Sequence, residues 1–590
     1  MSNWNLDEFY KNEEDWKKDL EKLKSLIPTL ASYRDKLSNY EDFLAFFKLE
    51  ENANKLFYRL YGYAHLASDL NLKDLEKQTM QQQVIITVNE LSQKTAWSNP
   101  EILSLGKEKV MDFLNRDDFL KNYIFPMEKL FRQQKHVLSA DQEQILSNFA
   151  PTTGIPSNLY QAVSIVDAKD EEVTLDSGET IKVTPAIYRS LIANAESTED
   201  RRKIFEAVFK RYEDNKATFA NIYNLVLQQA AARSRSRNYE SALDAALFGN
   251  NIPKDVFHNL KDTVYENTEG VRKYIRLRKK HLDLEKYHTY DRFMHLAKDD
   301  TVYDYELSKK LFFESIEGMD EEFVEYQKEA LADGFVDVLP KDGKRTGGYS
   351  STMYGFHPYI LLNHDNTLDS VFTLAHEAGH SAHSLFSNNN QPMPIARYTI
   401  FVAEIASTFN EHVLLDHLLK NVTDNNQRIA LLQTAIDGIM GTFFRQTLFA
   451  TYEYEASKLV DNQVPLNADV LSKIMVDLYK HYYDLDITEE KGKQYVWAYI
   501  PHFFYTPFYV YQYATSYSAS LKIYNDIKYG KKDAFEKYKS LLKSGGSDFP
   551  VNQAKDAGAD LTTKDPYLAV IKRFNFLVDE LEKALTEKDN

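Results

Sequence analysis

The stretch His376-Glu377-Ala378-Gly379-His380 reads H-E-x-x-H. On a helix its two histidines stand one turn apart on one face, so both imidazoles can reach a single metal ion. The glutamate between them can then face a water on that metal, which is the layout of a zinc hydrolase. With fifteen histidines in 590 residues, a chance match arises in about a few per cent of such chains, and the context makes it rarer. Leu368, Val371, Leu374, Ala375, Ala378, Ala382 and Leu385 recur at helical spacing, and Asp365, Asn366 and Thr367 offer caps ahead of them. The spacing therefore predicts a helix with a buried face. His383 falls one turn further along; a solvated or hydrogen-bonded role is expected, with a contact to substrate or to a ligand as the alternative.

A catalytic zinc takes three protein ligands as a rule. Residues 381–403 contain no Asp or Glu, and Glu404 is the first carboxylate after His380. Residues 388–394, rich in Asn and Pro, read as a loop. Beyond it Ile400, Ala403, Ser407, Asn410 and Glu411 follow helical spacing. A second helix can thus bring Glu404 to the metal, and Glu411, two turns on, can hydrogen-bond a ligand histidine. The spacing also excludes the extended motif with a third histidine six residues after His380, because that position is Phe386.

Outward from this centre the chain reads as mostly helical. A hairpin is predicted within 163–184, with Val173-Thr174-Leu175 and Thr180-Ile181-Lys182-Val183 flanking Asp176-Ser177-Gly178. Residues 333–363 carry Gly334, Gly343, Gly347, Gly348 and Gly355 and read as a small sheet, with Tyr359 to Asn363 a strand just ahead of the motif helix. Gly343 to Gly348 is no phosphate loop, because no Gly-Lys-Ser/Thr closes it. It reads either as ordinary turns or as a mobile loop beside a strand whose edge takes an extended peptide. Trp497, Tyr499, His502, Phe503, Phe504, Tyr505, Phe508, Tyr509, Tyr511 and Tyr513 crowd one segment. Thr506-Pro507 reads as its cap and first helical residue. That places His502 and Tyr505 on a loop, and Tyr509 and Tyr513 on one helix face.

Composition narrows the function classes. A net charge of −17 argues against nucleic acid and anionic membranes as partners. The chain has no cysteine, which removes disulfides, thiolate ligands and a cysteine nucleophile together. No run approaches the ~18 apolar residues of a membrane helix. The start, Met1-Ser2-Asn3-Trp4-Asn5-Leu6-Asp7-Glu8, lacks a basic and an apolar leader region, so no signal peptide is expected and a cytoplasmic location is.

His376 to His383, followed by Glu404-Ile405-Ala406-Ser407-Thr408-Phe409-Asn410-Glu411, resembles oligoendopeptidase F, the bacterial branch of the thimet oligopeptidase (M3) family of zinc peptidases. Arg237-Asn238-Tyr239-Glu240-Ser241-Ala242-Leu243 is similar to a family segment that carries glycine where this chain has Asn238. Gly347-Gly348-Tyr349-Ser350, Pro358 to Asn363, His502 to Tyr513 and Gly545-Gly546-Ser547-Asp548-Phe549-Pro550 extend the resemblance from about residue 110 to the C-terminus. It implies a mainly α, two-lobed zincin-type body with a small β-sheet beside the zinc helix and a deep substrate channel. An N-terminal helical lobe (1–190) with a hairpin near its end and a catalytic domain (191–590) are expected.

The activity implied is a zinc-dependent endopeptidase that cleaves oligopeptides. One Zn2+ is held by His376, His380 and Glu404, with Glu377 as general base and Glu411 behind a ligand. His502 and Tyr509 would stabilise the oxyanion, with Tyr505 the alternative donor. Tyr505, Tyr513, Gly347, Gly348 and Tyr359 would contact substrate. A zinc-dependent non-peptide amidase and a peptide-binding protein without catalysis are the competing readings.

Overall fold

The computed structural model describes residues 4–588, and no side chain is described for Ala140, Gln144 and Ala150. Residues 1–3, part of the start inspected for a leader, lie outside that range. Helices account for most of it, as the spacing predicts. Among the described residues five short strands form two sheets. Strand β1 (Glu171–Thr174) pairs antiparallel with β2 (Thr180–Val183), around the turn at Gly178, whose φ of 88° suits glycine. Strands β3 (Val336–Asp337), β4 (Tyr349–Ser351) and β5 (Tyr359–Leu361) lie in the order β3-β5-β4, with β5 parallel to β3 and antiparallel to β4.

The chain divides into two compact units, each assembled from three segments. The first comprises Met1–Lys135, Thr301–Leu418 and Ile523–Gly558, and the second His136–Asp300, Leu419–Lys522 and Ala559–Asn590. A single boundary at residue 190 does not describe this interleaving. The hairpin falls in the second unit, apart from the N-terminal helices.

In the first unit the motif helix runs Leu368–Asn390. Thr367 caps it, accepting the Ser370 N–H, and Asp365 accepts from the Thr367 and Ser370 hydroxyls. Its apolar stripe of Val371, Leu374, Ala375, Ala378, Ala382 and Phe386 is fully buried, which stabilises the helix more than its propensities do. The helix continues through Asn388 to Asn390, so the expected loop is shorter, and a turn at Met393–Ala396 follows. The second helix, Ile400–Asn421, carries Glu404 and Glu411.

Two small-residue contacts set how these helices meet. A Cβ on Gly379 would stand 2.7 Å from the Ala406 carbonyl oxygen and 2.7 Å from the Ser407 Cα, so the two backbones cross at a distance only glycine permits. Beside that crossing the buried Asn410 amide donates to the Ala375 carbonyl at 2.9 Å and to Gln327 at 3.0 Å. Gly545 and Gly546 hold the segment entering the second helix: the Gly546 N–H donates to the Ile395 carbonyl at 2.7 Å, and a Cβ on Gly545 would meet that same oxygen at 2.6 Å.

Candidate active site

His376, His380 and Glu404 converge, their ligand atoms all within 4.8 Å of one another. The two Nε2 atoms are 3.2 Å apart, and Glu404 lies 3.3 Å from His376 Nε2 and 3.7 Å from His380 Nε2. Two atoms bound about 2.0–2.1 Å from a tetrahedral zinc stand roughly 3.4 Å apart, so the set fits that ion without rearrangement. The His376 Nδ1–H donates to Glu411 at 2.5 Å, which directs the Nε2 lone pair toward His380 and Glu404. The Ala403 carbonyl accepts from His380.

Electrostatics give the same answer. Burial works against a charged His376, but the carboxylates of Glu404 and Glu411 outweigh it and hold that imidazole well above its ordinary range. Burial and the neighbouring His376 push His380 down to about 4. Glu404 is held down at about 2 because the histidines outweigh its burial. The cluster thus draws one positive charge to its centre, where a cation belongs.

Glu377, next to His376 on the same helix, feels the charges of His376, Glu404 and Glu411. It is buried, and burial, reinforced by Glu404 and Glu411, raises its carboxyl to about 7. Its Oε2 has no hydrogen-bond partner among the described residues, while the Ser350 backbone supplies one bond to the carboxyl. A buried carboxylate with a vacant oxygen is suited to receive a proton from a water.

The model of Peptidase family M3 matches residues 191–573, and that of Oligopeptidase F residues 101–169.

The chain belongs to peptidase family M3.

Oligopeptidase PepF of Bacillus subtilis is 35% identical over 584 residues, covering 99% of this chain and 87% of that protein. A crystal structure of a peptidase from Chlamydophila abortus superposes with a TM-score of 0.88 at 32% identity, covering 98% of both chains. The structure of oligoendopeptidase-F from Enterococcus faecium gives a TM-score of 0.76 at 27% identity, covering 98% of this chain and 99% of that one. As an M3 member the chain is a metallopeptidase.

Other expected site residues of this M3 chain fall as follows. Gly347 is left-handed, with φ 84°, and its carbonyl accepts from Asn363 at 2.7 Å. Gly348 lies beside Glu377: a Cβ there would come 3.6 Å from Oε1 and 3.0 Å from Thr373. The loop ahead of them is tied down, since the buried Lys344 Nζ pairs with Asp337 and donates to the Leu339 carbonyl at 2.7 Å. β5 is central, which leaves β3 and β4 as the edge strands of this sheet. Tyr359 is therefore a correction. Its side chain is fully buried and its hydroxyl donates to the Asn5 carbonyl at 2.8 Å, so it supports the sheet from below and offers nothing to substrate.

His383 is a second correction. It is buried and stacked on Tyr398 with ring centres 3.6 Å apart, and neither ring nitrogen is bonded among the described residues. Burial beside His380 drives it down to about 3, so it acts as a flat neutral spacer. Sequence reading overlooked Tyr398, whose only signal was an aromatic one turn before the second helix, and Gly379, where the motif tolerates any residue type.

In the second unit, Asn238 has φ 59°. Asn adopts the left-handed region most readily after Gly, so it replaces the family's glycine without changing the backbone. The preceding Arg237 bonds Glu143 through both terminal nitrogens at 2.8 Å. His502 to Tyr505 form a helical turn, and the next helix begins at Tyr511, not at Pro507. Phe508 explains the shift: its φ is 58° and its N–H donates to the buried Glu453 at 2.9 Å. Tyr509 thus lies ahead of the helix that carries Tyr513. It still stacks on His502, centres 5.9 Å apart, and Tyr513 Oη lies 3.4 Å from His502 Nε2. Burial lowers the His502 pKa, which keeps the ring neutral at pH 7. Tyr505 is exposed, with its ring edge-on to Tyr160.

Proposed function

We propose that this chain is a zinc-dependent endopeptidase that hydrolyses internal peptide bonds of short oligopeptides in the cytoplasm. One observation carries the reading: two imidazole nitrogens and a carboxylate oxygen stand at the mutual spacing of a tetrahedral zinc, with the buried, half-bonded Glu377 beside them. His376, His380 and Glu404 would hold the ion. When bound, zinc supplies Lewis acidity toward a peptide carbonyl and acidifies water.

The chain's own residues do the rest. Glu377 takes a proton from the attacking water on Oε2 and delivers it to the departing amine nitrogen. Glu411 fixes the tautomer and orientation of His376. We assign the hydroxyl of Tyr509 and the neutral imidazole of His502 to the developing oxyanion, because neutral donors favour charge that exists only near the transition state. Tyr505, Tyr513 and the Gly347-Gly348 turn are assigned to substrate. β4 is an edge strand, and we assign it to main-chain pairing with an extended peptide, which tolerates many sequences. The names of the Bacillus subtilis and Enterococcus faecium relatives, an oligopeptidase and an oligoendopeptidase, agree with this substrate class.

The test is to incubate metal-loaded protein with peptides of graded length and with a folded protein, and to read products by mass spectrometry. Internal cuts confined to short peptides are expected. Cleavage restricted to non-peptide amides would support the amidase reading, and binding without any cleavage the inactive one.

A further inference from the structure

The second unit holds a cavity of about 60 Å³ that the peptidase reading does not use. At roughly 10–15 Å³ per water, it has room for about five waters or the five heavy atoms of a tetrahedral oxyanion. Its lining is unusual in charge. Arg292, Arg445 and Lys493 all face it, with Tyr287, Tyr479 and Tyr483 around them.

These cations outnumber the carboxylates beside them, for Asp437 lines the same cavity and Glu490 acts electrostatically on Lys493. Arg445 Nε is buried with no hydrogen bond, and the contact made by its guanidinium is the face of Phe449, 5.0 Å from the ring centre. Arg292 likewise rests on Phe293, at 4.8 Å. Lys493 Nζ lies over the rings of Phe209 at 5.0 Å and Tyr479 at 5.5 Å. Asp437 in the cavity lining and Glu490 beside Lys493 each also accept hydrogen bonds from other groups. Asp437 accepts the Tyr274 hydroxyl at 2.9 Å and the Gln433 amide at 3.3 Å. Glu490 accepts the Thr289 N–H at 2.7 Å, together with its hydroxyl. A further cation, Arg278, stands behind the wall, bonded to Tyr274 at 3.1 Å and to the Asp291 carbonyl at 2.9 Å.

Backbone geometry aims one of these groups. The helices Asn425–Ile439 and Arg445–Asp461 join through a π turn, Met440–Phe444. Such turns rotate the residues that follow and recur at functional sites. This one sets Arg445 at the cavity. The crowding is visible in protonation: burial, aided by Arg292, lowers the pKa of Arg445, and burial lowers that of Lys493 against the opposing charge of Glu490. Like charges forced together in a dry pocket are relieved by a bound anion.

We propose that this cavity is a binding site for a small tetrahedral oxyanion, inorganic phosphate or a phosphate-sized equivalent, held by Arg292, Arg445 and Lys493 with tyrosine hydroxyls as further donors. Planar guanidinium groups match the paired oxygens of such an ion, and hydroxyl donors complete its tetrahedron.

Isothermal titration of the full-length protein with sodium phosphate, at ionic strength held constant with a bulky organic anion, tests this. Metal-free and metal-loaded protein are titrated in parallel, so that phosphate captured by a metal at His376, His380 and Glu404 is recognised by its dependence on metal. One saturable site per chain, independent of metal, is expected. Arg445→Gln and Arg292→Gln should each weaken it by about tenfold to a hundredfold, the value of one charge-assisted contact. Should Arg445→Gln not fold, Arg292→Gln at the half-buried position still decides. Absence of saturable binding, binding unchanged in the folded variants, or chloride binding more tightly than phosphate would each overturn the proposal.

Discussion

Gly379→Ala is the most informative single change, because its effect follows from one measured crossing. The added methyl would stand 2.7 Å from both the Ala406 oxygen and the Ser407 Cα, and 3.0 Å from the Ala406 carbonyl carbon. All three are backbone atoms and cannot rotate away. Ordinary carbon contacts lie at about 3.5–4.0 Å, so the helix bearing Glu404 must retreat by roughly 0.7 Å or more. Ligand distances at a metal tolerate about 0.2 Å. Glu404 sits one turn from the clash, with Ser407 Oγ 3.1 Å from its carboxylate, and the displacement passes directly to it. Overpacking costs about 1–3 kcal/mol, while glycine to alanine within a helix returns about 1 kcal/mol. Stability of the metal-free protein should therefore fall by no more than about 2 kcal/mol. Zinc affinity should fall further, by about tenfold to a hundredfold, as when the support of a ligand is disturbed. Chelator competition gives the affinity and thermal unfolding gives the stability. Gly438→Ala is the control, since nothing lies within 4 Å of its added methyl. A Gly379→Ala protein that binds zinc like wild type and melts like Gly438→Ala would refute the reasoning.

Other expected outcomes follow from the same geometry. Glu377→Gln should retain zinc and lose about 10² to 10⁴ in kcat, measured on a quenched peptide, because the amide cannot accept the proton. Glu404→Ala should lose bound zinc by metal analysis, whereas Asp416→Ala, which removes a partner of Tyr524 and Lys528, should keep it. Tyr509→Phe should lower kcat by about 10² to 10³ with little change in KM; a silent Tyr509→Phe beside a crippled Tyr505→Phe would move the oxyanion role to Tyr505. Burial holds Glu453 up at about 8 against about 4.3 in the unfolded chain. The folded state then keeps a proton the unfolded chain releases between those values, so this group's contribution falls as pH rises across that window. Glu453→Gln should flatten the loss, seen as urea midpoints that converge at pH 5 and diverge in the variant's favour at pH 8.

What the sequence made legible is local chemistry on helices. His376, His380, Glu404 and Glu411 could be placed on one metal-facing surface because helical period, a cap at Thr367 and an acid-free gap up to Glu404 are all short-range signals. The failures share a cause, which is contact between residues distant in sequence. Thr506-Pro507 carries a sound local signal for a helix start, but the buried Glu453 side-chain oxygen accepts the Phe508 N–H where the backbone is left-handed, so the helix waits until Tyr511. Tyr359 reads as a residue on a strand beside the motif helix, yet β5 is the middle strand and the Asn5 carbonyl accepts its hydroxyl.

The same argument explains why the metal cluster and the cationic cavity differ in legibility. The three proposed ligands lie on the helices Leu368–Asn390 and Ile400–Asn421, and their chemistry is compressed into residues 376–411, where spacing alone constrains geometry. Arg292, Arg445 and Lys493 lie on three elements separated by long stretches of chain, and each in isolation reads as a solvated surface cation. Only the tertiary fold shows that aromatic faces pack against them and that they outnumber the carboxylates beside the cavity, Asp437 and Glu490. A buried cation supported by rings keeps its full demand for an anion, since a cation–π contact of about 1–2 kcal/mol offsets only part of the several kcal/mol that desolvating a charge costs. That unmet demand is a property of the assembled unit, and it makes the cavity a site where the peptidase reading alone would see only packing.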